Sequence, residues 1–102
     1  MTDRVFHAVS DPTRRAILEL LTQGQLSAGE IADRLPVSLT AVGQHLRILE
    51  EAELIRTTKN GRVRTCELRR EGLRPVADWV EERRTTWTQR VEPRTSHDFG
   101  ED

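Results

Sequence analysis

Residues 27–64 read SAGEIADRLPVSLTAVGQHLRILEEAELIRTTKNGRVR, and the punctuation of this stretch decides the fold. Ser27-Ala28-Gly29-Glu30 is a Ser-x-x-Glu capping box, in which hydroxyl and carboxylate each satisfy the other residue's free backbone N–H and so start a helix. Ile31 and Leu35 share its inward face, and Pro36 stops it, leaving Leu35 to Val37 as a turn. Ser38 caps a second helix, expected from Leu39 to about Ala52, with Leu39, Val42, Leu46 and Leu49 buried at i, i+3, i+7 and i+10. Leu54–Lys59 and Arg62–Leu68 follow as two strands rich in Thr, Val and Ile, joined by Asn60-Gly61, both of which tolerate positive φ. Two capped helices about one turn apart, followed by a basic hairpin, make a helix-turn-helix with a wing.

The second helix of that pair presents Thr40, Gly43, Gln44, Arg47 and Glu51 on the arc opposite its core stripe. Thr40 and Gln44, with Ala41 between them, lie in its first two turns, the part of such a helix that approaches base edges in the DNA major groove. Arg47 sits a turn further on, at a position suited to a phosphate. Lys59 and Arg62 are expected to flank the hairpin tip with Arg64 behind, within reach of phosphate or minor groove. An amphipathic surface helix alone, or a basic hairpin alone, would be ordinary solvated surface. Their order along the chain is what points to nucleic acid.

Working outward, Asp3 to Val9 carries Val5, Phe6 and Val9 at helical spacing, until Asp11-Pro12 interrupts. Asp11 then caps a helix with Pro12 in its first position, and Ile17, Leu18, Leu20 and Leu21 supply an apolar face before Gly24 ends the run. Past the hairpin, Leu73, Val76, Val80, Trp87 and Val91 recur at three, four or seven residues, interrupted by Arg83 and Arg84, and predict a last helix from about Leu73 to Val91. A helix that long on so small a domain has little core left to cover. Its stripe is therefore expected to meet the first helix and the same elements of a second copy, with Val5, Phe6, Val76, Trp79, Val80, Arg83 and Trp87 forming the dimerisation set. The expected fold is mainly α, of α+β type: a winged helix-turn-helix with a two-stranded β wing and long first and last helices for dimerisation. Residues 1–92 make the domain, and the polar, acidic residues 93–102 are expected to be a disordered tail.

Composition bounds the rest. The 102 residues are 35% hydrophobic and 32% charged, the balance of a globular chain of one domain. The net charge of -1 argues at first against a nucleic-acid partner, but residues 38–70 hold seven basic against four acidic side chains, while 71–102 hold five against eight. Local potential decides where a phosphate lands, so the basic middle can act without the flanks. If Arg47, Lys59, Arg62 and Arg64 each met a phosphate in a dimer, about eight contacts would give a log-log salt slope of roughly -7. Met1-Thr2-Asp3-Arg4 has no signal-peptide pattern and no apolar run is long enough to span a membrane, so the chain is expected in the cytoplasm. Cys66 is the one cysteine and strand alternation turns it inward, as core filler rather than reactive thiol. The three histidines and that cysteine are scattered, with no nucleophile beside a base, so the chain is not expected to be an enzyme.

The run Ala8-Val9-Ser10-Asp11-Pro12-Thr13-Arg14-Arg15-Ala16-Ile17-Leu18-Glu19-Leu20-Leu21, then Leu26-Ser27 to Leu35, then Ser38 to Leu54 with Gln44-His45-Leu46 inside it, resembles the ArsR/SmtB family of bacterial winged-helix repressors. The resemblance covers roughly Val5 to Trp87. It implies a homodimer built on the first and last helices that binds an imperfect inverted repeat in its own promoter and represses transcription. It also implies that Ser38, Thr40, Gln44 and His45 meet DNA, and Gly43 departs from the pattern by standing where a serine is usual. His45 lies at the margin of the apolar arc, where a structural hydrogen bond to backbone competes with a DNA contact. Metal sensing in this family needs cysteines near Leu26-Ser27-Ala28-Gly29-Glu30 or an Asp-x-His pair on the last helix, where this chain has Asp78-Trp79-Val80. No metal and no cofactor is therefore expected, which resembles the metal-independent branch. Other readings remain open: a winged helix serving as a protein-interaction module, or a response to a small apolar ligand at the dimer interface near Trp79 and Trp87.

Overall fold

The computed structural model describes residues 2–95, and the starts of the three helices α2, α3 and α4 are each explained by a local cap. Helix α1 (Thr2–Val9) runs into Asp11, whose carboxylate accepts from the Arg14 N–H at 3.0 Å and opens α2 (Pro12–Leu21) with proline in its first turn. After the two-residue strand β1 (Leu26–Ser27), the Ser27–Glu30 box is reciprocal: the Ser27 hydroxyl accepts from Glu30 N–H at 3.1 Å, and Glu30 Oε1 accepts from Ser27 N–H at 2.8 Å. It starts α3 (Ala28–Arg34). The Ser38 hydroxyl accepts from Ala41 N–H at 3.0 Å and starts α4 (Leu39–Glu51).

The wing is β2 (Ile55–Asn60) and β3 (Val63–Leu68), antiparallel, with Asn60 opposite Val63, Lys59 opposite Arg64 and Thr57 opposite Cys66. This register moves the two-residue turn by one position from the expected Asn60-Gly61. The turn residues are Gly61 and Arg62, with Gly61 at φ 66° and Asn60 still in the ladder, as in hairpin turns that need a left-handed residue only at the first central position. Arg62 therefore stands at the apex instead of flanking it. The sheet also gains a third strand that the sequence pattern does not show. β1 pairs with β3, Leu26 opposite Cys66 and Ser27 opposite Thr65, giving the order β1-β3-β2 and tying α3 to the wing.

The core lies where α1, α2, α3, α4 and the sheet meet, built on Ile17, Leu21, Ile31, Val42, Leu46, Leu49, Leu54, Ile55 and the buried Cys66. Each such aliphatic side chain is worth about 1.5–3 kcal/mol of burial. Leu39, expected in this stripe, is 58% exposed. A helical side chain covers the turn before its own Cα, and the first residue of α4 has no such turn behind it.

The C-terminal helix departs most from expectation. A 3₁₀ turn, Arg70–Leu73, precedes α5 (Arg74–Thr95), so the helix begins one residue late and continues past the expected end at Val91 into the segment taken as tail. The remainder of that tail, 96–102, lies outside the described residues. The turn docks on the end of α4: Arg69 N–H donates to the Leu54 carbonyl at 2.8 Å, and a Cβ on Gly72 would collide with the Glu53 carbonyl oxygen. Glu53 itself takes φ 62°. The first helix, at 8 residues, is short rather than long. It meets α5 through Phe6, packed edge-on against Trp79 with centroids 5.5 Å apart, while the Arg83 guanidinium lies 4.6 Å from the Trp79 ring centre. Beyond that contact α5, 22 residues or about 33 Å long, projects away from the body. The radius of gyration is accordingly 17.5 Å, against about 13 Å for a compact chain of this length.

Candidate nucleic-acid interface

Because Val42, Leu46 and Leu49 turn inward, α4 is rolled so that Thr40, Gln44 and Arg47 emerge on its outer side. All three are exposed, and none makes a side-chain hydrogen bond or ion pair with another described residue. Ala41 and Gly43 flank them half-buried, and a Cβ added at Gly43 would meet nothing within 4 Å. The exposed Leu39 adds an apolar side chain at the start of the same helix. The Ser38 oxygen is occupied as a cap acceptor, which leaves its O–H free to donate outward.

At the wing, Lys59 and Arg62 are exposed and likewise make no side-chain bond to a described residue. Arg64 differs. Its Nη2 lies 3.3 Å from Glu50 Oε1 at the end of α4, and Glu50 Oε2 accepts from the Thr57 hydroxyl at 2.8 Å. One carboxylate thus joins the outward helix to both wing strands, and Arg64 is a clasp where the sequence offered it as a free cation. Below it Cys66 is fully buried, and that burial pushes its thiol up from the ordinary range, which keeps it protonated and inert.

His45 is half-buried, and among the described residues its side chain bonds to Arg14 alone, whose Nη1 lies 3.2 Å from His45 Nδ1. Arg14 also donates from Nε to the Ala8 carbonyl at 2.8 Å and from Nη2 to the His7 carbonyl at 3.1 Å. Arg15 donates to the Val9 carbonyl at 2.7 Å. These bonds give the Asp-Pro-Thr-Arg-Arg run its physical meaning: Asp11 closes the N-terminus of α2 while the two arginines close the C-terminus of α1. The Arg14 N–H bond, helped by the Arg14 charge, holds the Asp11 carboxyl below its usual range. Arg14 and Glu50 were not among the residues singled out from the sequence. Arg14 sits inside the motif that carried the resemblance, so a signal existed; for Glu50 there was none.

Of the expected dimerisation set, Val5 is 2% exposed and belongs to the protomer's own core, which removes it from any outer face. Phe6, Val76 and Arg83 are half-buried, whereas Trp79, Val80 and Trp87 remain exposed along α5, Trp87 at 59%. Among the described residues no three His, Cys, Asp or Glu side chains converge on a metal-sized site. No helix among them is long and apolar enough to cross a membrane.

An exposed polar helix face beside a basic wing, held together by the Glu50 carboxylate, is an arrangement for binding along a duplex groove. Comparison with known proteins agrees. Residues 9–58 match the model of a helix-turn-helix domain. The chain is 38% identical over 78 residues to the transcriptional repressor SdpR of Bacillus subtilis, covering 76% of this chain and 87% of that one. It is 46% identical over 71 residues to the HTH-type transcriptional regulator Rv2034 of Mycobacterium tuberculosis, covering 70% and 66%. Among solved structures, an ArsR family transcriptional regulator superposes with a TM-score of 0.80 at 37% identity, covering 84% of this chain and 89% of the other. An ArsR-like transcriptional regulator from Rhodococcus sp. RHA1 superposes at 0.82 and 31%, covering 98% and 92%. The chain belongs to the ArsR/SmtB family of winged helix-turn-helix, DNA-binding transcriptional regulators.

Proposed function

We propose that this regulator is a homodimeric repressor that binds an inverted repeat in its own upstream region and is released without a metal ion. Each α4 lies in a major groove with Thr40 and Gln44 toward base edges and Leu39 toward a thymine methyl, while Arg47, Lys59 and Arg62 meet phosphate. The observation that carries this reading is the division among the cations of residues 38–70. Arg56, Arg64 and Arg69 are in ion pairs, whereas Arg47, Lys59, Arg62 and Arg70 stand exposed without one to a described residue, the first three on the helix and wing that would face DNA and Arg70 on the turn before α5. Dimerisation is supported by the row Trp79, Val80 and Trp87, exposed on a helix that projects from the protomer. Absence of metal control is supported by Leu26-Ser27 standing where thiolate ligands would be needed.

Footprinting the purified protein on its own upstream DNA tests the proposal. Protection of two half-sites about one or two helical turns apart is the expected result. Protection of a single unrepeated site, or release of the DNA by one tightly bound Zn²⁺ per protomer, would count against the dimer or the metal-free control respectively.

A further inference from the structure

An arginine in the first turn of a helix is ordinarily solvated, yet Arg14 is only 6% exposed. Its guanidinium has three neighbours that can accept a hydrogen bond: the Ala8 carbonyl, the His7 carbonyl and His45 Nδ1. The two carbonyls lie at the C-terminal end of α1, where the helix dipole favours a cation, and the His7 carbonyl also accepts from the Ser10 hydroxyl at 2.7 Å and the Ser10 N–H at 3.3 Å. The third neighbour belongs to α4. Arginine carries five N–H donors, no acceptor, and stays protonated. A 3.2 Å approach of its Nη1 to His45 Nδ1 is therefore a hydrogen bond only when Nδ1 holds a lone pair. That condition selects the neutral imidazole with its proton on Nε2.

We propose that Arg14 is a positioning residue for DNA recognition: it fixes His45 as the Nε2–H tautomer, leaving the far edge of the ring as a donor to a DNA phosphate oxygen. The role rests on the DNA-binding reading given above. The alternative tautomer would offer the DNA a lone pair and set an N–H against the guanidinium. Arg14 also makes the presentation of His45 depend on α1, since the same guanidinium closes the helix that carries Phe6 against α5.

Nitrogen-detected NMR of the imidazoles in the free protein at neutral pH reads the tautomer without DNA. His45 is expected as Nε2–H in the wild type and as a tautomer mixture in Arg14→Lys, which keeps the charge and loses the fork. On a DNA fragment covering the upstream region, His45→Ala and Arg14→Lys are each expected to weaken binding roughly three- to tenfold, with the double variant no weaker than the worse single one. His45→Ala leaves the α1 cap in place, which keeps the test independent of folding. An Nδ1–H or mixed tautomer in the wild type overturns the proposal, as does full affinity in His45→Ala. If the wild type binds no DNA in a salt-dependent way, the regulatory reading falls and the role of His45 in it falls too, a failure distinct from wild-type binding that ignores the substitution.

Discussion

Glu50 Oε1 lies 3.3 Å from Arg64 Nη2, so the last turn of α4 is anchored to the strand behind the wing tip. Arg64 sits directly opposite Lys59 in the hairpin, and like charges so placed repel. The Glu50 carboxylate offsets that repulsion and fixes the wing relative to the helix. Glu50→Gln is expected to lower stability by no more than about 1 kcal/mol, because the pair is partly solvated. It also frees Arg64, so the salt dependence of DNA binding becomes steeper. Urea denaturation and binding titrations over a salt series measure the two effects, and a shallower slope in the variant would refute the clasp.

For the wild type, the three cations on α4 and the wing without an ion pair to a described residue, Arg47, Lys59 and Arg62, give six phosphate contacts in a dimer. The log-log slope of affinity against salt is then about -5, where counting Arg64 would make it roughly -7. A slope near zero would leave a protein-interaction module as the better reading.

Base reading and phosphate binding separate by substitution. Gln44→Ala is expected to cost on the order of 1–3 kcal/mol on the upstream repeat and nothing on random DNA. Arg62→Ala should weaken both alike. Competition assays with the two DNAs decide it, and an unchanged specificity ratio in Gln44→Ala would place α4 outside the groove.

The apolar row on α5 is exposed within the protomer, so charge placed there should not unfold it. Val80→Glu and Trp87→Glu are expected to keep the wild-type unfolding midpoint at concentrations where both proteins are monomeric, and to shift sedimentation from dimer to monomer at micromolar protein. A wild type already monomeric there would remove the dimer from the proposal.

Acid sensitivity follows from the α2 cap. The Asp11 carboxyl is held below its usual range chiefly by the Arg14 N–H. A depressed folded-state value means the ionised cap contributes its full stability above the ordinary carboxylate value and loses it as pH falls through the lowered one. Asp11→Asn keeps an acceptor but has nothing to protonate, so its deficit relative to wild type should shrink between about pH 6 and about pH 3. A deficit that is constant with pH would show that the charge at Asp11 contributes nothing.

What was legible in the chain was local. Asp11, Ser27 with Glu30, and Ser38 cap their helices within three residues, and every one of those bonds forms in the fold. The hairpin was visible as Asn60-Gly61, yet its register was not, because Gly61-Arg62 also makes a two-residue turn and the two registers differ by two in the pairing, which leaves every side chain on the same face and gives the alternation nothing to choose by. β1 was invisible because two residues show no alternation and their partners, Thr65 and Cys66, are far along the chain. Arg14 and Glu50 escaped for a related reason: each looks like solvated charge until the fold brings His45 or Arg64 to it. The outward placement of Thr40, Gln44 and Arg47 was legible as well, since an exposed position on a helix needs only the helix period.

The shielded Cys66 leaves this protein chemically silent toward thiol reagents in its native state. Arg62, at the turn apex and outside the strand ladder, is then a place where Arg62→Cys would take a fluorophore alone, with no competing label and no ladder bond lost. Energy transfer between two such tips would turn the wings of a dimer into an optical ruler for their separation in the free protein, since the same substitution removes a proposed phosphate contact.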